Sequence, residues 1–259
     1  MSHNNQSIEA LLTAVQSQTI SIDSAMEQLK HYNDVGFAKV DLHRKQRQGF
    51  PEVIFGEGKD AQQIKIIIES LLTKDETILI TRINKEKADE ILTQYPQLAY
   101  YKTANILATP VSSIAKSYNK AAIICAGTSD LPIAEEAAIT AQVMGVEIER
   151  FYDVGVSGIH RLFDQLESIR KCKVSIVIAG MEGALSSVVS GLVDHPVYAV
   201  PTSVGYGANL NGITTLLSMI NSCAPGTSVL NIDNGFGGGY NAAMLINMLE
   251  KEKYSEESL

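Results

Sequence analysis

Two side chains in the C-terminal half of this sequence have the chemistry of a reaction centre, Glu182 and Cys223, and both stand among glycine-rich segments. Glu182 lies in AGMEGALSSVVSGL (179–192), where Gly180 and Met181 lead out of an apolar run. A carboxylate at the end of a strand can orient a substrate hydroxyl or take a proton. The same spacing suits an acid in the first turn of a helix equally well. Cys223 lies in NSCAPG (221–226), just ahead of a helix stop. A cysteine becomes a nucleophile when its thiolate is stabilised. Position argues against that here, because the negative end of a helix disfavours an anion and a lone cysteine is commonly inert core. Cys125, inside an apolar run, and Cys172, near a helix end, have less in their favour.

Three further segments could hold an anionic or flat ligand. GTSDLP (127–132) follows an apolar strand, with Ser129 or Asp130 placed to cap the next helix and Pro132 in its first turn. Free N–H groups at such a helix start can bind a phosphate, although ordinary caps of this kind are far commoner than ligand sites. VSGIHRLF (156–163) offers Ser157, His160 and Arg161, and an arginine fork there could hold a phosphate or simply face water. PTSVGYG (201–207), with Ser203 and Gly205, is built of small residues that suit close contact with a flat ring. His43, His160 and His195 have no metal spacing, His195 before Pro196 reads as structural, and no metal site is expected.

The elements that must position these residues follow from periodicity. Ile8 to Tyr32 reads as a helix, broken near Thr19 to Ser21, and Ala61 to Leu72 and Lys85 to Gln94 read as helices. Thr77 to Arg82 and Ala99 to Leu107 read as strands, which completes a small α/β module. Beyond Tyr118 come apolar strands at 121–126, 146–152, 174–179, 197–201 and 229–232, separated by helical stretches. Continuous apolar strands alternating with helices require a parallel sheet covered on both faces, hence a doubly wound three-layer sandwich. The expected division is therefore 1–118, a smaller α/β domain, and 119–259, the three-layer domain. Ligands of such sheets sit at the carboxyl ends of the strands. Eleven of the 19 glycines fall between Gly180 and Gly239, mostly after predicted strands, where backbone must approach a ligand or turn tightly.

Composition narrows the function classes. A net charge of −8 leaves no basic field for nucleic acid or an anionic membrane. No stretch of eighteen apolar residues and no leader-like N-terminus is present, and the three cysteines show no CxxC pairing, so a cytoplasmic location is expected. No Lys or Arg lies between Lys173 and Lys251. Cations for a phosphate must come from Arg161, from helix starts, or from the segment 41–59. That segment, DLHRKQRQGFPEVIFGEGK, holds Arg44, Lys45, Arg47 and Lys59, and it reads either as a solvated loop or as an arm reaching a binding site.

In this order the motifs resemble the PurE superfamily, the aminoimidazole ribonucleotide carboxylases and mutases of purine synthesis, over roughly Lys120 to Leu249. GTSD (127–130) is similar to that family's phosphoribosyl-binding GSxSD loop, and VSGIHR (156–161) to its SAHR segment with one residue inserted. AGMEGALSSVVSGL, HPVYAVPTS (195–203) and SVLNIDNG (228–235) follow its remaining strands. The family's GGAAHLPG loop carries a catalytic histidine where this sequence has Ala184. Over its whole length, including the basic segment, the sequence resembles one branch, the LarB family. That resemblance implies a PurE-like fold preceded by an N-terminal α/β domain. It implies carboxylation of the pyridinium ring of nicotinate adenine dinucleotide and cleavage of its phosphoanhydride, giving pyridinium-3,5-biscarboxylate mononucleotide and AMP. The product would pass to a sulfur-inserting enzyme on the way to the nickel cofactor of lactate racemase. Cys223 would be the covalent nucleophile and Glu182 the acid or base, with Ser129, Asp130, Ser157, His160, Arg161, Gly180, Met181, Ser203, Gly205, Arg47 and Lys59 around the substrate. Carbon dioxide or bicarbonate is the co-substrate, no tightly bound cofactor is expected, magnesium is allowed though no residue demands it, and a homo-oligomer of up to eight copies is implied. The competing functions are the purine carboxylase or mutase, and a nucleotide-binding protein without catalysis.

Overall fold

The computed structural model describes residues 2–74, 76–111 and 119–256. The chain opens with α1 (Ser2–Gln16), α2 (Ile22–Gln28), β1 (Tyr32–Asp34), β2 (Lys39–Asp41) and α3 (Arg44–Gln48). There follow β3 (Ile54–Phe55), α4 (Ala61–Leu72), β4 (Leu79–Thr81), α5 (Lys85–Leu92), β5 (Ala99–Tyr101) and β6 (Ile106–Ala108). The C-terminal half contains β7 (Ala121–Cys125), α6 (Leu131–Val143), β8 (Ile148–Phe151), α7 (His160–Arg170), β9 (Val174–Ala179) and α8 (Ala184–Ser190). It ends with β10 (Val197–Pro201), α9 (Ile213–Ile220), β11 (Thr227–Val229) and α10 (Gly235–Glu256).

The expected boundary at 118/119 borders residues 112–118, outside the described residues. By compactness the chain forms two units, residues 1–52 with 65–76, and residues 53–64 with 77–259. In the first, β1 and β2 pair antiparallel, the Asn33 side-chain amide donates to Ser70 Oγ at 2.8 Å, and Lys45 meets Glu76 at 3.3 Å. The basic segment takes the form of the short helix α3, closed by Gly49 in the left-handed region, and the short strand β3.

In the second unit a five-stranded sheet runs β8-β7-β9-β10-β11 with every pair parallel. Successive residues alternate between its faces. Ala122 and Ile124 of β7, Val177 and Ala179 of β9, and Val197 and Ala199 of β10 pack with Leu162 and Ile169 of α7, Leu185 and Val189 of α8 and Met219 of α9. The opposite face lies under α6 and α10. Strands β7, β9 and most of β10 are buried, which is why they read as unbroken apolar runs. The three-layer sandwich expected from the sequence is thus observed. The chain steps from β7 out to β8 and returns to β9 on the other side, so the order reverses between β7 and β9. A crevice opens at the carboxyl ends of two such strands.

A second sheet, β3-β4-β6-β5, is antiparallel except for its parallel β3–β4 pair, and β4 and β6 touch α6. The single strand expected at 99–107 is a hairpin. Lys102 to Asn105 turn the chain, with Asn105 at φ 51°, a conformation asparagine tolerates better than most residues.

The glycines are expected to approach a ligand or to turn tightly, and those at the start of α10 do a further job, close packing of the helix. Gly235, Gly238 and Gly239 lie in the first turns of α10, where they let it meet α6 and the sheet, while Gly237 makes room for the Asn234 side chain. A Cβ on Gly239 would stand 2.3 Å from the Ala137 carbonyl oxygen of α6, a backbone atom that cannot swing aside. Gly239→Ala is expected to cost about 1–3 kcal/mol by forcing the helices apart. The measurement is the denaturant midpoint, which should fall with little change in slope.

Candidate active site

Three loops at the carboxyl ends of β7, β9 and β10 meet at the switch point. Asp130 ties two of them together. Its Oδ2 accepts from the Gly127 backbone N–H at 3.1 Å and its Oδ1 from the Thr202 hydroxyl at 2.6 Å, with the residue 4% exposed. Burial raises its carboxyl above the usual range, and the Thr202 and Gly127 hydrogen bonds only partly reverse this. Neither Ser129 nor Asp130 caps α6 with its side chain as expected. The carboxylate bonds back to the β7 loop instead, and Pro132 takes its place in the first turn. Gly180 sits where β9 ends, and a Cβ there would stand 2.3 Å from the Val204 carbonyl oxygen. The β9 and β10 loops can touch only because that side chain is missing. Met181 (φ 52°) and Gly183 (φ 69°) then turn the chain left-handed, which exposes Glu182 at the start of α8. The Met181 N–H donates to Val204 at 2.8 Å and its carbonyl accepts from Asn209 Nδ2 at 3.1 Å. The Ser203 N–H donates to Asp233 Oδ1 at 2.8 Å, bringing in the loop before α10.

Two cavities share a wall made by Ser129 and Val204. The smaller, about 330 Å³, lies at the switch point and is lined by Ser129, Asp130, Ser157, Gly180, Met181 and Glu182 among others. Six residues singled out in the sequence are therefore gathered around one hollow. The larger, about 480 Å³, is lined by Glu57, Arg82, Asn84, Asn105, Glu136, Ser203 and Asp233, with Pro132 and Ile133 of α6.

Arg82 is the basic side chain of these cavities among the described residues, and sequence reasoning passed over it. It follows β4 directly at φ 52°, unusual for a residue with a Cβ. Nη2 donates to the Asp233 carbonyl at 2.6 Å, Nε lies 3.6 Å from Glu136 Oε1, and Nη1 lies 3.9 Å from Glu57. Glu136 is 3% exposed and accepts from the Phe236 N–H at 3.1 Å. Burial raises its carboxyl pKa, and Arg82 pulls the other way. The available signal was positional: a charged residue immediately after an apolar strand, as with Glu182.

The other expected site residues lie elsewhere. Gly205 is exposed in the β10 loop, against Asn209. Arg161 meets Asp153 at 2.5 Å, and Asp153 lines the smaller cavity, so Arg161 stands one carboxylate away from it. His160 is exposed at the start of α7. Lys59 lines neither cavity and donates to the Phe55 carbonyl at 3.1 Å. Arg47 belongs to the first compact unit, where it pairs with Asp41. Cys223 is exposed just beyond α9 and lines neither cavity, while its neighbour Ser222 shares a 2.8 Å hydrogen bond with Ser187 of α8. Cys125 and Cys172 are buried, and burial pushes their thiols up to about 12 and about 11. Neither ionises near neutrality. His195 bonds Ser175 Oγ at 2.7 Å, and burial lowers its pKa. Among the described residues no group of three His, Cys, Asp or Glu is gathered to hold a metal, and no helix is long and apolar enough to cross a membrane.

Residues 32–111 match the LarB/PurE-like N-terminal domain, and residues 120–256 match AIR carboxylase. An uncharacterized protein of Methanocaldococcus jannaschii is 40% identical over 257 residues, 95% of this chain and 99% of its own. The N5-carboxyaminoimidazole ribonucleotide mutase of the same organism is 39% identical over 126 residues, 48% of this chain and 73% of its own. That of Pyrococcus abyssi is 32% identical over 143 residues, 53% of this chain and 76% of its own.

Proposed function

The chain belongs to the AIR carboxylase family in the branch with a LarB/PurE-like N-terminal domain, and from that premise we propose that it carboxylates the pyridinium ring of nicotinate adenine dinucleotide and hydrolyses the phosphoanhydride. The products are pyridinium-3,5-biscarboxylate mononucleotide and AMP, the former destined for nickel-cofactor synthesis. The observation that carries this reading is the pair of cavities meeting at Ser129 and Val204. A mononucleotide substrate needs one compartment, whereas a dinucleotide spans two.

The chemistry explains why a cysteine is wanted. A pyridinium ring is too electron-poor to attack carbon dioxide. Addition of the Cys223 thiolate at the carbon para to nitrogen makes a neutral dihydropyridine, whose adjacent enamine carbon attacks carbon dioxide. Glu182 removes the proton from that carbon, and expulsion of the thiolate restores the aromatic cation. Water then cleaves the P–O–P bridge. The ring's own positive charge favours an anion beside it, which offsets the unhelpful helix end at Cys223.

Cys223 and Glu182 can act together across two copies of the chain. Ile213, Leu217 and Ile220 form an exposed apolar stripe on α9, beside Leu210 and leading towards Cys223. Such a stripe supports burial against another copy. The purine mutase reading draws on the activity for which the two shorter relatives are named. Ala184, standing where that family carries its catalytic histidine, weighs against it.

The deciding assay incubates the full chain with nicotinate adenine dinucleotide and labelled bicarbonate. Label in the mononucleotide fraction together with stoichiometric AMP is the expected result. Turnover of carboxyaminoimidazole ribonucleotide, with no ring labelling, would falsify the proposal.

A further inference from the structure

Arg82 is anchored by one short hydrogen bond and flanked by two carboxylates at ion-pair distance. The Asp233 carbonyl accepts from Nη2 at 2.6 Å, and the buried Glu136 Oε1 faces Nε at 3.6 Å as an ion-pair partner with no hydrogen bond of its own. Nη1 faces Glu57 at 3.9 Å, beyond hydrogen-bond length, and that glutamate side chain is 65% exposed. Its ring neighbour Phe55 lies 6.0 Å from the guanidinium carbon, within cation–π range. A guanidinium with one edge anchored and the other opposite an exposed acid is prepared to exchange that acid for an incoming anion. The fork geometry favours phosphate, which it can hold by two parallel bonds.

The rest of the cavity fits a nucleoside attached to that phosphate. Ile83, Ala104, Pro132 and Ile133 supply an apolar floor, and the Asn84 and Asn105 amide nitrogens offer donors to a base edge, their oxygens accepting from the Lys87 N–H and the Tyr100 hydroxyl. Three carboxylates beside one cation would repel a bare polyanion, but only one of them is open to the phosphate. Glu136 is 3% exposed, with Oε2 accepting from the Phe236 N–H and Oε1 paired only by charge with Arg82, and one oxygen of Asp233 accepts from Ser203. The remaining acceptor positions of Asp233 suit ribose hydroxyls. The volume, about 480 Å³, falls in the range of ligand pockets, roughly 300–1,000 Å³.

We propose that the larger cavity seats a nucleoside 5′-monophosphate, with Arg82 receiving its phosphate in exchange for Glu57. The identification of this ligand with the AMP half of the substrate rests on the carboxylase reading; the cavity assignment does not. The test is calorimetric binding of AMP to the full chain, with nicotinate mononucleotide as the comparison ligand. Arg82→Ala should weaken AMP about tenfold to a hundredfold and leave nicotinate mononucleotide unchanged. Arg82→Lys should recover part of the loss, because it restores charge without the fork. Glu57→Gln, an exposed change that does not threaten folding, should tighten AMP a few-fold. Wild-type affinity in both arginine variants, no tightening in Glu57→Gln, or no AMP binding by the wild type overturns the assignment. If AMP binding follows these changes while no ring carboxylation is found, the carboxylase reading fails alone. If carboxylation proceeds and AMP ignores all three changes, the cavity assignment fails alone.

Discussion

Cys223→Ala is expected to leave no measurable carboxylation: label transferred from bicarbonate to the mononucleotide falls by on the order of 10⁴ or more, as for other nucleophile deletions. The size of the effect follows from the absence of a second route. Without the sulfur adduct the ring stays cationic, and no side chain lining the cavities can make its carbon nucleophilic. Non-covalent substrate affinity should hardly change, since the exposed thiol takes no part in the hydrogen bonds that shape the cavities, and any loss of apparent affinity reports the adduct itself. The adduct has its own signature. Wild-type protein mixed with substrate and no bicarbonate should develop the near-ultraviolet absorbance of a dihydropyridine, and the alanine variant should not. A variant that labels the ring within tenfold of wild type would remove the sulfur from the mechanism.

The buried frame of the C-terminal half was legible because its strands are covered on both faces, so burial writes itself as unbroken apolar text at β7, β9 and β10. The loops after those strands were legible for the same reason, since carboxyl ends of parallel strands are where ligands bind. Arg82 was not. It is 151 residues from its partner Asp233, and no local pattern announces which distant cation a fold will bring to an acidic loop. The glycines of α10 misled in the opposite sense, because a helix that packs tightly on another shows the same residue type as a loop that cradles a ligand. The 99–108 hairpin was hidden because its turn, Lys102 to Asn105, has neither Gly nor Pro to mark it. Periodicity reports how much of a residue is covered, and says little about what covers it.

Glu182→Gln should lower kcat about 10²–10⁴-fold, the usual range for removal of a positioned base. The amide is close in size and keeps one acceptor, and the turn around it is set by backbone: Gly183 N–H to Gly180 at 3.0 Å and Met181 N–H to Val204 at 2.8 Å. The variant should therefore fold, bind substrate and still form the sulfur adduct, and stall when the proton must leave. Substrate deuterated at the carbon that accepts carbon dioxide should then show a primary isotope effect larger than in wild type. An unchanged kcat would demote Glu182 to a solvent-facing acid at the start of α8. The two variants also test each other. The apolar stripe on α9 runs towards Cys223, while Glu182 lines the smaller cavity, so a site built across two copies would take its sulfur from one and its carboxylate from the other. Mixing Cys223→Ala with Glu182→Gln, with exchange of subunits, should then restore part of the activity that neither has alone. A silent mixture would put both groups in the site of a single chain, and would require the segment after α9 to fold back towards the cavity when substrate binds.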